Sequence, residues 1–259
     1  YLKADLIMPE AIDLPSQIEV NSQIEIKVDC PDLVNRFTTL VIKGLNVKPS
    51  PSWLSNRLEA YGIPSINNVV DITNYVMVEM GQPMHAQDIA KLSKKEIHIR
   101  RAKEGETLTS FLGENIKLDN ECFVLCQNDK PTVLGGIVGS KDTGIDNATV
   151  DIVLDAGNYN QVNIRKTSRR LKILNETVLR YDKLLSSQLT MEALLRAAYL
   201  LQELAGGVAY FNDDYTTDKS LSKPKIMTLR KQRLELLAGT VFDLNSAKDI
   251  LIRLGYEIT

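Results

Sequence analysis

The stretch Ile66-Asn67-Asn68-Val69-Val70-Asp71-Ile72-Thr73-Asn74-Tyr75-Val76, followed closely by Gly81-Gln82-Pro83-Met84-His85-Ala86, is the most informative part of the chain. Asp71, Thr73 and Asn74 are residue types that cap helices and form turns through side-chain bonds to the backbone. His85 follows Pro83 in a turn-like segment, where a side chain can be held toward a site without helical constraint. The plain reading of this histidine is a polar turn residue; the functional one is a pocket-lining group.

Upstream, Ile24, Ile26 and Val28 alternate with Glu25 and Lys27, the period of a half-buried strand. Arg36 to Val47 is a second strand candidate, interrupted by Gly44. Ser50-Pro51 predicts a helix start, with serine as cap and proline in the first turn. Leu54, Leu58 and Tyr61 line one face of that helix, and Gly62 stops it. Downstream, residues 97–154 read as β-rich. Ile97 and Ile99 alternate with His98 and Arg100, Gly113 marks a turn, and Cys122–Cys126 and Asp151–Leu154 are short apolar runs of buried-strand type. His98, opposite the apolar positions, reads as a surface residue. Helical signals return after Val162, and the clearest helix runs from Thr190 to Ala205, ended by Gly206-Gly207. Asn212 to Pro224 is polar and aperiodic, which predicts a linker. A short strand at Ile226-Met227, a helix to Gly239 and a helix capped by Ser246 and closed by Gly255 are expected after it.

The chain has 259 residues, 44% of them apolar and 25% charged, with a formal net charge of −2. That balance fits a globular protein and excludes a disordered one. No run approaches the roughly 18 apolar residues of a membrane helix. Tyr1-Leu2-Lys3-Ala4-Asp5 is not a signal peptide; because the chain does not begin with Met, it is expected to be a piece of a longer protein. Three cysteines argue against a disulfide framework and for a cytoplasmic protein. Cys122 and Cys126 read as buried packing thiols, and a metal site would need further ligands that only His85 and His98 could supply as histidines. With a net charge this low, any RNA contact must come from a local patch or from partners outside this chain. Arg165, Lys166, Arg169, Arg170 and Lys172 form the densest basic run; Arg165, Arg169 and Lys172 would share a helical face. A solvated face and contact with tRNA phosphates are the two readings of that run.

Five segments, in order and spacing, resemble the beta subunit of bacterial phenylalanyl-tRNA synthetase. They are Ile66–Val76, Gly81–Ala86, the glycine loop Leu134-Gly135-Gly136-Ile137-Val138-Gly139, the run Val162–Leu171, and Leu229–Gly239 with Leu251–Tyr256 beyond it. The resemblance spans from about residue 30 to the end. It implies an α+β editing module with sheets flanked by helices over 30–211, after a leading segment 1–29. A linker over 212–224 and the incomplete start of a small helix-turn-helix-like module over 225–259 would follow. The implied activity is hydrolysis of tyrosine mischarged onto the phenylalanine tRNA. The implied partners are the alpha subunit, within a heterotetramer of two alpha and two beta chains, and tRNA(Phe). No cofactor is expected in this piece; ATP and magnesium belong to the synthetic site in the alpha subunit, so the piece alone should not aminoacylate. Carried over by position, His85, Thr73 and Asn74 are the catalytic candidates. Gly135, Gly136, Gly139, Asp155, Asn175 and Thr177 are the substrate-binding candidates, and Arg165, Lys166, Arg169 and Arg170 the tRNA contacts. A nucleotide-binding loop is the rival reading of the glycines, but the Walker lysine and serine or threonine are missing.

An apolar pocket rejects an isostere bearing one extra hydroxyl only about a hundredfold, whereas a second site that hydrogen-bonds the hydroxyl discriminates better. Here the recognition positions depart from the family. Asp155 stands at the end of Val150-Asp151-Ile152-Val153-Leu154-Asp155, where relatives carry glutamate. The missing methylene is worth about 1.5 Å of reach, enough to stretch a good hydrogen bond to roughly 4 Å. Where relatives show threonine, an acid, alanine and serine, this chain has Asn175, Glu176, Thr177 and Val178. Arg180-Tyr181 and an acid, Asp182, persist, but Lys183-Leu184 replaces arginine-glycine. Weakened or lost proofreading is the expectation. The alternatives are a structural module that positions tRNA without catalysis, and a free-standing deacylase-like protein, against which the Leu229–Tyr256 segment argues.

Overall fold

The computed structural model describes residue 7 and residues 9–11, 23–217 and 226–258. Much of the leading segment 1–29, and residues 218–224 of the expected linker, lie outside the described residues. The chain divides into two units, Tyr1–Leu221 and Ser222–Thr259.

In chain order the first unit contains β1 (Glu25–Val28), β2 (Val34–Lys43), α1 (Ser52–Tyr61), α2 (Asn68–Met80), β3 (His85–Asp88), β4 (Glu96–Arg101), β5 (Thr107–Thr109) and β6 (Asn115–Lys117). It continues with β7 (Phe123–Gln127), β8 (Lys130–Leu134), β9 (Val138–Gly139), β10 (Ile152–Tyr159), α3 (Gln161–Leu171), α4 (Glu176–Tyr181), α5 (Leu189–Ala205) and β11 (Val208–Thr216). The second unit holds α6 (Lys231–Ala238) and α7 (Leu244–Arg253).

Alternation along β2 and β10 divides the first unit into layers. Leu40, Ile42, Leu154 and Ala156 point to one face of the four-stranded sheet β11-β2-β10-β3 and pack with Leu54, Leu58, Val69, Ile72, Val76, Ala197 and Leu201 of α1, α2 and α5. Phe37, Val41 and Val153 point to the other face and pack with Ile97, Ile99, Val124, Leu125 and Val133 of the five-stranded sheet β1-β4-β7-β8-β9. Two cores thus lie on either side of one fully buried strand, β10, every residue of which is buried. The sheets flanked by helices are the expected α+β architecture.

The quoted stretch folds differently from its reading as caps and turns. Asn67 is the cap of α2, accepting from Val69 and Val70 N–H. Asp71, Thr73 and Asn74 lie within the helix. Asp71 is buried and fixes the approach to the helix, accepting from Ser50 Oγ (2.6 Å), Ile66 N–H (2.8 Å) and Ser65 Oγ. Ser50 is therefore not the cap of α1; the cap is Pro51, with no side-chain bond, and Tyr61 is exposed and lies off the buried face. Gly62 and Gly81 close α1 and α2 with positive φ, as a helix end requires.

Three further expectations are corrected. Strand β11 extends to Thr216, into the stretch expected to be a linker. Its polar residues find partners at the sheet: Asn212 Nδ2 donates to Ile24 O and Thr39 Oγ1, and Arg36 pairs with Asp214 at 2.7 Å. Ile226-Met227 is not a strand, and α7 is capped by Asp243, whose carboxylate accepts from Ser246 N–H. Arg100 is buried in β4, where Glu106 and Asp129 neutralise its guanidinium.

Candidate functional site

The antiparallel pairing of β3 with β10 puts Asp155 directly opposite His85. Neighbours across such a pair share a face of the sheet, and this face looks into the gap between the two sheets. His85 opens a strand rather than standing in a turn, and Asp155 is inside β10 rather than at its end. The strand runs on because Ala156, Gly157, Asn158 and Tyr159 keep their pairing to β2, which outweighs the weak strand preference of glycine and asparagine.

His85 Nδ1 lies 3.7 Å from Asp155 Oδ2. That is too long for a hydrogen bond. Both atoms are buried without a hydrogen-bond partner, and Asp155 is only 3% exposed. Leaving such groups unpaired in a fold costs on the order of 1–3 kcal/mol each. Two adjacent orphans at one spot are a place where a ligand would recover that cost.

The two side chains line a cavity of about 70 Å³ together with Gly136, Gly139, Thr177, Tyr159 and Tyr181, and with an apolar wall of Pro83, Met84, Leu125, Val133, Ile137 and Val138. Glycine leaves room where the loop closes over the site. A Cβ on Gly139 would stand 2.6 Å from His85 Nε2, and one on Gly136, at φ +66, would stand 2.6 Å from Ile164 Cδ1. Tyr159 folds back along its strand, so that a Cβ on Gly157 would lie 2.0 Å from its Cζ. Tyr181 donates its hydroxyl to Pro83 O at 2.9 Å and accepts from Gln82 Nε2 at 3.1 Å. Burial pushes the hydroxyls of Tyr159 and Tyr181 well up from their ordinary value, and the nearby Asp155 carboxylate adds to it. Both phenols stay neutral.

Of the predicted site residues, His85, Gly136, Gly139, Asp155 and Thr177 meet at this cavity. Asn175 stands behind it: it caps α4 and donates Nδ2 to Ile137 O at 2.9 Å. Gly135 is not on the lining; its role is to admit the ring of Phe123, which a Cβ would meet at 1.9 Å. Thr73 and Asn74 are also off the lining. Thr73 turns its hydroxyl back to Val70 O at 2.7 Å, a local bond that a mid-helix threonine makes readily. Sequence reasoning missed Tyr159. The signal was present, since positions 155, 157 and 159 share one face of a strand.

The basic run is partly committed. Arg165 donates to Asp182 O, and Arg170 Nε lies 2.9 Å from Asp119 Oδ2. Lys166 and Arg169 are exposed on α3, and Lys172 is the left-handed cap at φ 57, beyond the helix. His98 is half-buried and lies 2.6 Å from Asp29. The three cysteines are free and buried. Among the described residues no group of three or more His, Cys, Asp or Glu is placed to hold a metal, and no helix is long and apolar enough to cross a membrane.

Against this geometry stand the comparisons with known proteins. The model of the B3/4 domain family matches residues 33–206. The chain is 36% identical over 236 residues to the phenylalanine–tRNA ligase beta subunit of Carboxydothermus hydrogenoformans, covering 91% of this chain and 29% of that protein. It is 35% identical over 258 residues to that of Porphyromonas gingivalis, covering 99% and 31%, and 38% identical over 228 residues to that of Streptococcus thermophilus, covering 88% and 28%. The chain thus spans about three tenths of the length of these relatives. Its fold is similar to an N-terminal fragment of the phenylalanyl-tRNA synthetase beta subunit from Pyrococcus horikoshii, with a TM-score of 0.51 and 13% identity, over 97% of this chain and 70% of that one.

Proposed function

The chain belongs to the B3/4 domain family, and on that premise we propose that it is the editing module of a phenylalanine–tRNA ligase beta subunit, with proofreading weakened. In this reading the cavity receives the amino acid of tyrosyl-tRNA(Phe). Water adds across the ester, releasing tyrosine and a tRNA with a free terminal hydroxyl. His85 orients the water, and Asp155 is the acceptor for the phenol. The observation that carries the reading is the pair of orphaned polar atoms, His85 Nδ1 and Asp155 Oδ2, facing one cavity across β3 and β10. The complete ligase, with its alpha subunit, would work in the cytoplasm, and its ATP and magnesium would act outside this chain.

The weakening rests on size and reach. A cavity of about 70 Å³ is less than half the roughly 150 Å³ that accepts a benzene ring, and Thr177 occupies its wall. The same observation favours a second reading, a module that positions tRNA without hydrolysing it. Hydrolysis of tyrosyl-tRNA(Phe) by the complete heterotetramer decides between them. Weak editing predicts slow release by the native enzyme, faster release with Asp155→Glu and none with His85→Ala. No release from any of the three, with tRNA binding intact, would establish the positioning reading.

A further inference from the structure

On α1, Trp53, Arg57 and Tyr61 recur at the spacing that puts side chains in line on one helical face. The stripe faces outward: Trp53 is 41% and Tyr61 50% exposed. The guanidinium of Arg57 lies over the Trp53 ring, 5.5 Å from its centroid, and donates to Tyr75 Oη at 2.9 Å. Tyr75 meets Trp53 edge-on, with ring centroids 5.5 Å apart. These contacts hold the indole in one orientation while leaving much of it to solvent. Among the described residues Arg57 makes no ion pair, so its charge is not cancelled.

The stripe ends against α4, a helix that also walls the cavity. Tyr61 Oη lies 3.2 Å from Glu176 Oε2 and accepts from Arg180 at 3.3 Å. Both partners are on α4, which supplies Thr177 and Tyr181 to the cavity wall. A fixed row of aromatic side chains with an uncancelled guanidinium is the arrangement on which unpaired bases stack, with the cation attracting the backbone.

We propose that Trp53, Arg57 and Tyr61 form a stacking platform for the single-stranded 3′ end of the RNA whose aminoacyl group enters the cavity. The proposal rests on the reading of the cavity as an aminoacyl-tRNA site and adds the surface by which the RNA reaches it. Unlike Arg165 and Arg170, which are held by Asp182 and Asp119, Arg57 has its charge available. The backbone is gripped by few cations here, so binding depends on stacking and only weakly on salt.

Trp53 is the only tryptophan of the chain, which makes the test direct. A short single-stranded RNA ending in CCA is titrated into this chain while Trp53 emission is followed. A labelled copy is followed by anisotropy for the variants Trp53→Ala, Arg57→Ala, Tyr61→Ser and, as a control, Lys130→Ala. Stacking predicts quenching of Trp53 and about tenfold weaker binding for Trp53→Ala, the order of magnitude a stacked base contributes. Arg57→Ala should also weaken it, and Lys130→Ala should not. All four positions are exposed, and circular dichroism confirms that the variants fold. Absence of quenching, or quenching that Arg57→Ala leaves untouched, overturns the proposal. So does an indole shielded from acrylamide in the complete ligase before RNA is added, which would make this face a subunit contact. RNA binding that depends on the stripe, without tyrosyl-tRNA hydrolysis even in Asp155→Glu, sustains the platform and defeats the editing reading. Hydrolysis indifferent to Trp53→Ala and Arg57→Ala does the reverse.

Discussion

Close approach of side chains to glycine sets the shape of the site, and Gly157 is the sharpest case. A methyl there would overlap the Tyr159 ring, with 2.0 Å to Cζ and 2.1 Å to the hydroxyl. Gly157→Ala should cost about 1–3 kcal/mol, the usual range for overpacking, read as a lower urea midpoint; an unchanged midpoint would mean that the ring has room elsewhere. The buried thiols give a second expectation. Burial pushes Cys126 from its ordinary 9.0 up to about 12, with Arg100 opposing and Glu106 assisting, and pushes Cys30 from 9.0 to about 11. The native state keeps protons that the unfolded chain releases above pH 9. Their contribution is therefore whole below pH 9 and is lost as pH climbs toward 12. Urea midpoints should be level from pH 7 to about 9 and fall beyond it, less steeply in Cys126→Ala; a rise above pH 9 would contradict this. At this scale the sequence was partly legible. His85, Asp155 and the glycines could be named from the motifs that carry them. Thr73 and Asn74 could not be placed, because a threonine that bonds its own helix and one that bonds a ligand look alike in one dimension.

Local signals were legible in part: the spacing along α5 shows a helix, whereas the capping residue types in 66–76 suggest turns where α2 forms. Helix α5 announces itself by spacing and ends at Gly206 as expected. The second half of β11 reads as linker because Asn212, Asp213 and Asp214 are polar, and nothing nearby in sequence shows that Ile24, Thr39 and Arg36 will satisfy Asn212 and Asp214. The start of α2 is a local device and can be tested alone. Asn67 Oδ1 accepts from Val69 and Val70 N–H at 3.1 and 2.9 Å. Asn67→Ala should remove about 1 kcal/mol and lower the melting temperature by roughly 2–4 °C. Asn67→Asp, which keeps the acceptor, should recover most of it. Equal losses in both variants would assign the residue's value to packing instead of capping.

For the molecule as a whole, the division into two units has an energetic counterpart. The first unit holds both cores, whereas in the second Leu236, Leu237, Val241 and Leu254 are largely exposed and Ala247 alone is buried among its described residues. Ending the chain at Thr217 should shift the melting temperature of the first unit by less than about 2 °C, an amount below 1 kcal/mol for a domain of this size. A drop of ten degrees or more would mean that the last segment supports the cores. The register of β3 against β10 reaches further. Asp155 meets His85 only in that alignment, and a slip by one residue would turn either side chain to the helical face. The strands involved are distant along the chain, so closing the intervening loops must precede the contact that rewards it. A refolding chain will regain its helices first and this pair late. The imidazole protons of His85 would then serve as a clock for the last step of folding, returning to their native frequency only when the central sheet has locked.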